Sequence, residues 1–353
     1  MSRFPYYQVN LRSGFFFPYW ETNSKRPMVM SDTDYPCQYL PLGKPGVFPF
    51  RIIASETSII VEFHHSLTDG TGAVIFLKAL VGEYLYRQGI QVDDWGDLFR
   101  PGQIPDPEEY EYSFRKYFKR HIPLRPKIVR AFQLPYKLEK PGVFHTIEGS
   151  ASIREALQLS RSNQVTLTEF LVAIYLDALQ EIWKQTSKMR RGWRPIRLMV
   201  PINIRNLLPS KTMRNFSAFV APGIDPRLGK FSFDEILEQV HHFKNLEVND
   251  KFVVQQISKN VKIETHPLIQ ILPLILKRLF AKPAYKNMGE AMFSGILTNL
   301  GPITLPKDLT EEVEDIDLFL MSHPYFKTGC AVISYKDHLH INFGRPVKKA
   351  TLE

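Results

Sequence analysis

The sequence predicts an α/β fold in which strands and helices alternate along the chain. Strand patterns rich in β-branched and apolar residues recur at residues 48–53, 58–64, 197–203 and 330–335. An amphipathic helix pattern at residues 168–185 lies between two of them. Interleaved strands and helices are typical of layered proteins, so we expect a two-layer α/β sandwich. Because 353 residues exceed what one hydrophobic core usually supports, we expect two halves, residues 1–142 and 143–353.

The first half is predicted to contain short strands followed by a strand–helix unit. Residues 1–47 are rich in aromatics, proline and glycine, which favours short strands and turns with the aromatic rings in the core. Strands at 48–53 and 58–64 flank a turn, and a helix begins at Thr68-Asp69-Gly70 and ends at Gly89. Residues 91–141 contain seven prolines and predict an irregular connection with one short helix at 110–119.

In the second half, strands and helices alternate more regularly along the chain. We predict strands at residues 143–152, 197–203, 216–222, 295–300, 330–335 and 338–344, and helices at 153–161, 168–185, 233–249 and 251–279. The last helix is broken near Pro267. The apolar run 267–280 is too short for a transmembrane helix, and we interpret it as a core-packing helix rather than a membrane-surface anchor.

Composition excludes several classes of protein. With 44% apolar and 23% charged residues the chain is expected to fold, and residues 1–7 contain no apolar stretch of the kind found in a signal peptide. The charge of +9 comes from scattered Lys and Arg without a nucleic-acid-binding motif, so we predict no nucleic-acid partner. Cys37 and Cys330 form neither a CxxC nor a zinc spacing, which favours reduced thiols. We expect a cytoplasmic protein without stable membrane insertion.

The clearest chemical signal is the segment His64-His65-Ser66-Leu67-Thr68-Asp69-Gly70, where a buried strand runs into a helix. Such strand ends are where α/β proteins present reactive groups. A histidine titrates near neutral pH and takes a proton from a hydroxyl, thiol or amine nucleophile. Neighbouring residues on a strand point to opposite faces, so one histidine faces the reaction and the other packs or orients.

Three other interpretations of this segment stay open. The histidines form a structural pair in a core, or His64, His65 and Asp69 bind zinc together with His338 or His340, although no zinc signature accompanies them. His64 and Asp69 also match the HxxxxD spacing of glycerolipid acyltransferases. Residues 147–150 are a poor substitute for the phosphate-binding segment that those enzymes carry downstream.

The segment resembles the HHxxxDG motif of the CoA-dependent acyltransferase superfamily. That group includes chloramphenicol acetyltransferase, the condensation domains of nonribosomal peptide synthetases, and the alcohol acetyltransferases with their mycobacterial polyketide-associated relatives. Three further segments resemble the alcohol acetyltransferase branch: Val200-Pro-Ile-Asn-Ile-Arg205-Asn, Thr298-Asn-Leu-Gly301, and Arg3-Phe-Pro-Tyr-Tyr with Pro36-Cys37. Together these segments cover nearly the whole chain.

The resemblance implies two chloramphenicol-acetyltransferase-like halves that form a pseudo-dimer with an active-site tunnel. It implies that His65 is the general base, with His64 beside it, and that Asp69 turns away from His65 to pair with Arg205. Such a pair is physically reasonable, because a buried carboxylate needs a partner and a guanidinium matches its geometry.

The remaining roles concern substrate binding. By the same resemblance, Gly70 leaves room for a pantetheine arm, and Thr298 and Asn299 position the substrate or stabilise the oxyanion across the cleft. The histidine motif lies nearer the N-terminus than in the family. We therefore expect the chain to lack the opening strand and helix, with Arg3 at that helix's end, and also a closing C-terminal element.

The expected reaction is ester formation between acyl-CoA, as co-substrate, and a small hydroxylated acceptor, by direct attack without a bound cofactor or metal. An alternative is condensation-type transfer from an acyl carrier protein. A second alternative is an inactive truncated relative that binds acyl-CoA or a partner without turnover. Acyl length and acceptor identity are set by pocket shape and not by a motif.

Overall fold

A computed structural model describes residues 1–31, 40–123, 129–140, 143–187, 194–280, 290–320 and 327–348. Residue 142, the last of the predicted first half, and the cysteine Cys37 lie outside the described residues. The strands are β1 (Val9–Ser13), β2 (Pro18–Thr22), β3 (Val29–Ser31), β4 (Phe50–Ala54), β5 (Ile59–Phe63), β6 (His145–Ser152), β7 (Ile196–Asn203), β8 (Ser217–Val220), β9 (Gly223–Ile224), β10 (Gly295–Ile303), β11 (Gly329–Tyr335) and β12 (His338–Arg345).

Helices lie between these strands, largely where the sequence predicts them. They are α1 (Gly70–Arg87), α2 (Ser113–Lys116), α3 (Ile153–Ser162), α4 (Leu167–Ser187), α5 (Phe233–Glu247), α6 (Asp250–Glu264), α7 (Pro267–Ile271), α8 (274–280) and α9 (Lys307–Glu312). Polar residues begin the longer ones: Ser152, Ser232 and Asn249 accept hydrogen bonds from amides in the first turns of α3, α5 and α6. The predicted α/β class is confirmed.

The largest sheet runs in the order β6-β12-β11-β10-β7-β8, with β9 also paired to β7. Strand β10 is parallel to β7 and β11, whereas β12 is antiparallel to both of its neighbours. The sheet is therefore mixed. Two smaller sheets precede it in the chain, the antiparallel pair β1-β2 and the three-stranded β3-β4-β5.

The main core lies between the large sheet and helices α4, α5 and α6. Leu176 and Leu179 of α4 are fully buried against Leu198 of β7 and other strand residues. Every residue of β11 is buried, because Val74 of α1 and residues 305–318 cover part of its second face. The β11 region is thus covered on both sides.

A second core is aromatic and surrounds α1. The rings of Phe4 and Tyr7 stack with centroids 5.9 Å apart, and both rings also contact Phe76 of α1. The prediction that the aromatic N-terminal region lies in the core is confirmed for these residues. It is wrong for Phe15 and Phe16, which are exposed at the tip of the β1-β2 hairpin.

The sequence predicts that the apolar run 267–280 packs in the core, and the structure contradicts this. The run breaks at Leu272 and Pro273, and α8 rests on the β1-β2 hairpin through a hydrogen bond from the Leu274 amide to the Phe15 carbonyl. Many of its side chains remain exposed: Leu268, Ile271, Ile275, Leu276, Leu279 and Phe280. None of the helices in the described ranges has the length and apolar character that crossing a bilayer requires.

A buried ion pair anchors the N-terminus. Arg3 donates through both terminal nitrogens to the Glu109 carboxylate at 2.7 Å, and the Tyr6 hydroxyl donates to the same carboxylate at 2.8 Å. Arg3 and Glu109 are only 6% and 4% exposed. The Glu109 carbonyl also accepts from the Met213 amide, 3.0 Å away, so the pair ties the N-terminus to the loop before β8.

Cys330 is a free thiol in the middle of the main core. Burial raises its pKa to about 12, so the thiol stays protonated and unreactive at neutral pH. This agrees with the prediction of a reduced cysteine at this position.

Replacing Arg3 should destabilise the fold strongly. We expect Arg3→Met to lower the free energy of unfolding by about 3–5 kcal/mol at pH 7, because it leaves a buried carboxylate without its partner. Burial alone would raise the pKa of Glu109, but the hydrogen bonds from Arg3 and Tyr6 hold it below its usual value. In the wild type this stabilisation is therefore present above the unfolded pKa of about 4.3 and is lost as the pH falls through the lower folded pKa.

Urea unfolding of both proteins between pH 7 and pH 4 measures the effect. The difference in unfolding free energy between the wild type and Arg3→Met should become smaller toward pH 4, because the unpaired Glu109 of the variant becomes neutral by protonation. The control is Arg154→Met, which removes the exposed Arg154–Asp337 pair and should change little. Equal effects of the two substitutions would contradict the importance of the buried pair.

Candidate active site

The candidate site lies at the turn that joins β5 to α1. His64, His65 and Ser66 are exposed on this turn, whereas the next three residues, through Asp69, are buried. Asp69 is the N-cap of α1 and accepts from the Gly72 amide at 3.2 Å. An N-cap carboxylate satisfies amides that have no partner in the helix and is stabilised by the helix dipole. This capping fixes the point at which the chain turns from the strand into the helix.

The second carboxylate oxygen of Asp69 is bound by groups that lie far along the chain. Its Oδ2 accepts from Arg205 Nη1 and from the Phe216 amide, each at 2.8 Å. The carboxylate is 5% exposed, and the side chain of Arg205 is 13% exposed. With its oxygens bound in this way, Asp69 stabilises the turn and is not directed at His65.

Arg205 also organises the loop between β7 and β8. Its guanidinium donates to the carbonyls of Thr212 at 2.9 Å, Arg214 at 3.0 Å and Phe216 at 3.4 Å. A planar fork with five N–H donors suits several oxygens spread around it. The loop is therefore wrapped around one side chain, and its tip is held in a defined conformation against the β5–α1 turn.

Asn215 at the tip of this loop contacts His65. Its Nδ2 lies 3.0 Å from His65 Nδ1 and 3.1 Å from the His65 carbonyl oxygen. Its Oδ1 accepts from the Ser217 hydroxyl at 3.0 Å. The amide group therefore holds the backbone and the ring of His65 together and leaves Nε2 as the ring nitrogen that faces outward.

His64 has different partners. Its Nδ1 lies 2.7 Å from the Ser66 hydroxyl and 3.3 Å from the Ser66 amide, so the ring folds back over its own turn. Desolvation by the surrounding protein and the neighbouring His65 lower the pKa of His64. At neutral pH His64 is therefore uncharged and is held as part of the turn.

Close backbone packing beneath the turn requires glycine at position 72. The Tyr7 hydroxyl donates to Thr68 Oγ1 at 2.9 Å, and Thr68 Oγ1 donates to the Met213 carbonyl at 2.7 Å. A Cβ at Gly72 would collide with Thr68 Oγ1 and would lie 2.7 Å from the Tyr7 hydroxyl. Burial raises the pKa of Tyr7, so this hydroxyl stays protonated and structural.

Gly70 has a different environment. A Cβ there would lie 2.6 Å from Cδ2 of Leu300, the end of a flexible side chain. Leu300 belongs to β10, so the C-terminal half of that strand lies against the start of α1. The neighbouring Thr298 pairs with Ala331 in the sheet.

The Asn299 side chain forms hydrogen bonds close to its own strand. Its Nδ2 donates to Thr168 Oγ1 at 3.0 Å, and its Oδ1 accepts from the Gly301 amide at 2.8 Å. Gly301 has a φ of 75°, a conformation that favours glycine, which explains the Asn-x-Gly pattern by backbone geometry. Both ends of the Asn299 amide are thus engaged in the C-terminal half, and its role at the oxyanion stays a prediction.

The zinc alternative does not fit the side chains that the structure describes. Among them, no group of three His, Cys, Asp or Glu residues is placed to hold a metal ion. Asp69 is taken up by Arg205, and His340 pairs with Asp315 at 2.9 Å.

Sequence reasoning missed Asn215 and the Tyr7 hydroxyl, whereas the small size of Gly72 was expected to let other groups approach the turn closely. Asn215 directly precedes a predicted strand, where an Asn is typical of turns and gives no chemical signal. Tyr7 lay in a segment whose aromatic rings predicted core packing.

Comparison with known proteins supports the fold. No protein-family model and no curated protein matches the chain. Among solved structures, the nonribosomal peptide synthetase FmoA3 is similar to this chain. The alignment covers 99% of this chain and 36% of the synthetase, at 12% identity and a TM-score of 0.53. A second similar structure describes condensation domain-mediated chain release from the enacyloxin polyketide synthase. Its alignment covers 99% of this chain and 70% of that protein, at 11% identity and a TM-score of 0.51.

An acetyltransferase is similar as well. The trichothecene 15-O-acetyltransferase TRI3 from Fusarium sporotrichioides aligns with 86% of this chain and 66% of its own, at 13% identity and a TM-score of 0.50. This chain spans about a third of the length of the peptide synthetase FmoA3. At these identities the similarity shows a shared fold, and the fold is the one found in condensation-domain and acetyltransferase structures.

The two glycines provide a matched test of the packing beneath the turn. We expect Gly72→Ala to lower the free energy of unfolding by about 1–3 kcal/mol, the usual cost of overpacking a rigid site. Gly70→Ala should be neutral or slightly stabilising, since only the Leu300 side chain must move and alanine favours the helix. Chemical denaturation of both variants measures this, and a larger loss for Gly70→Ala would contradict the packing described.

Proposed function

We propose that the chain is an acyltransferase that moves an acyl group from a thioester to a hydroxyl, with His65 as general base. The observation that carries this proposal is the exposed His65 ring, fixed through Nδ1 at a strand–helix turn. The fold shared with condensation-domain and acetyltransferase structures supports the same reaction class. We further propose the alcohol acetyltransferase-like branch, because residues 64–70 match HHxxxDG and Arg205 and Asn299 fall in its other motifs.

The proposed reaction is a direct displacement. The acceptor hydroxyl gives its proton to Nε2 of His65 while its oxygen attacks the thioester carbon, which forms a tetrahedral intermediate. Collapse of the intermediate breaks the carbon–sulfur bond, and the departing thiolate takes the proton back from His65. No acyl-enzyme forms and no metal or bound cofactor takes part. Oxyanion stabilisation is assigned to Thr298 and Asn299 as a proposal.

Asp69 and Arg205 act by position in this scheme. They do not touch the substrate but hold the turn that carries His65 and the loop that carries Asn215. We also propose that the halves 1–142 and 143–353 form a pseudo-dimer with a tunnel through which donor and acceptor reach His65. Gly70 would then lie beside the pantetheine arm.

The donor is proposed to be acyl-CoA, and the acceptor a small hydroxylated molecule. The basic charge of +9 supports a polyphosphorylated donor through long-range attraction. The second candidate donor is an acyl group on a carrier protein. It is favoured by the similarity to a nonribosomal peptide synthetase structure, although this chain spans only 36% of that protein.

Substitution of His65 tests the mechanism. We expect His65→Ala to lower ester formation by about 10²–10⁴-fold, the usual contribution of general acid–base catalysis. Product is measured by mass spectrometry, with acetyl-CoA and longer acyl-CoAs, and separately with an acyl carrier protein, against a panel of alcohols. His64→Ala is the matched control, because its ring folds onto Ser66, and it should retain most of the activity.

Each result has a definite meaning. If His65→Ala forms ester at the wild-type rate, His65 is not the general base. Product with the carrier protein alone would identify the second donor. If the folded wild-type protein gives no product with either donor, acyl transfer is wrong, and calorimetric binding of acyl-CoA would then identify an inactive relative.

A further inference from the structure

We propose that residues 13–19 and 267–280, which together form the hairpin–helix surface, bind the face of an anionic lipid bilayer. Residues 13–19 are the tip of the β1-β2 hairpin, and residues 267–280 contain α7 and α8. The two parts are joined by the hydrogen bond from the Leu274 amide to the Phe15 carbonyl at 2.8 Å. Membrane binding by this surface goes beyond the proposed acyl transfer and does not depend on it.

The cationic side chains of α8 lie on the side of the helix that faces the hairpin. Lys277 Nζ donates to the Phe16 carbonyl at 2.9 Å and lies 3.3 Å from the centre of the Phe17 ring. Arg278 Nη2 donates to the Ser13 hydroxyl at 3.1 Å, and the Arg278 side chain remains exposed. The charged groups are therefore held where α8 meets the hairpin.

The apolar side chains of α8 occupy the side that is turned away from the protein. Ile275 and Leu279 are four residues apart and so lie on one face, and they are 75% and 65% exposed. Leu276 and Phe280 repeat this spacing and are also exposed. A helix on a protein surface normally buries its apolar side and exposes its polar side, so α8 is inverted. An inverted helix is stabilised by an apolar environment outside the protein.

Helix α7 and the hairpin tip extend the apolar surface. Leu268 and Ile271, three residues apart on α7, are exposed, whereas Gln270 reaches back and donates to the last carbonyl of α6 at 2.6 Å. On the hairpin, Phe15 is 72% exposed and packs edge-to-face on Phe16, with ring centroids 4.8 Å apart. Three neighbouring elements thus expose large apolar side chains, a feature that marks an interaction site.

Charge favours a bilayer with anionic headgroups over a second copy of this chain. The hairpin–helix surface contains Lys277 and Arg278 but no Asp or Glu. Its nearest acidic neighbours in the chain, Glu21 and Glu264, are already paired with arginines. A second copy docked on the same surface would bring like charges together without a carboxylate to neutralise them. Apolar side chains with cations beside them match the acyl boundary and the phosphates of an anionic bilayer.

The helices are too short to do more than lie along the membrane. Helices α7 and α8 have five and seven residues, which span about 8 and 10 Å, whereas the hydrocarbon core is about 30 Å thick. The exposed side chains would enter the headgroup region to a depth of about 5–10 Å. Such binding is peripheral and reversible, in agreement with the expectation of no stable membrane insertion.

Vesicle co-sedimentation of the purified chain tests the proposal. We expect binding to mixed phosphatidylcholine–phosphatidylglycerol vesicles and weaker binding to pure phosphatidylcholine vesicles. The difference should decrease as salt is added, because salt screens exposed charges. Ile275→Gln/Leu279→Gln should weaken binding to the mixed vesicles about tenfold or more, because two apolar side chains no longer enter the lipid. Phe15→Gln should weaken it from the hairpin side.

Two further variants separate the apolar contribution from the charge and from a general effect of exposed leucines. Arg278→Gln should weaken binding to the mixed vesicles about fivefold and leave binding to phosphatidylcholine unchanged. Leu159→Gln/Leu246→Gln is the matched control. It replaces two exposed leucines on α3 and α5 and should bind like the wild type. Thermal unfolding verifies that every variant is folded, as expected for exposed positions.

Three results would overturn the proposal. The first is a wild type that does not bind the mixed vesicles or binds both vesicle types equally. The second is binding that Ile275→Gln/Leu279→Gln leaves unchanged, or that the matched control weakens as much. The third comes from light scattering: a dimer of the wild type that Ile275→Gln/Leu279→Gln converts to monomers would identify a second copy of the chain as the occupant.

Discussion

A buried carboxylate and the guanidinium that neutralises it hold the candidate site together. Asp69 caps α1 and accepts from Arg205 and the Phe216 amide, which lie more than a hundred positions later in the chain. Each of these bonds is needed because a carboxylate at this depth is costly without partners. The turn that presents the two histidines and the loop that presents Asn215 are therefore fixed relative to each other by one ion pair.

Arginine suits this position for a geometric reason. Its planar fork reaches the Asp69 carboxylate on one side and the loop carbonyls of Thr212 and Arg214 on the other. An ammonium group has three donors on a flexible stem and would not span the same oxygens. Beneath the pair, Gly72 allows the helix backbone to approach Thr68 and Tyr7. Close packing and charge pairing thus support the same turn, on which His65 is exposed.

Much of the fold was predictable because its signals are local. Strand β5 is marked by β-branched residues, α1 by an aspartate cap and α4 by its periodicity, and all three lie within a few residues of their predicted bounds. Predictions failed where burial depends on distant neighbours. The apolar residues of α7 and α8 satisfied the pattern of a core helix, but many of them stay exposed, and α8 is bonded to the β1-β2 hairpin. The pairing of Arg3 with Glu109 also had no local signal.

The sequence by itself determined the α/β class, most element bounds, and the segment that carries the two histidines, because periodicity, capping and motif spacing are properties of short stretches. Only the tertiary structure decided the hydrogen bonds of that segment. The contact of Asn215 with His65 joins residues 150 positions apart, and it exists because Arg205 folds the intervening loop onto the turn. The surroundings of His65 therefore depend on residues that the fold brings together from distant parts of the chain, and no short stretch of sequence records such contacts.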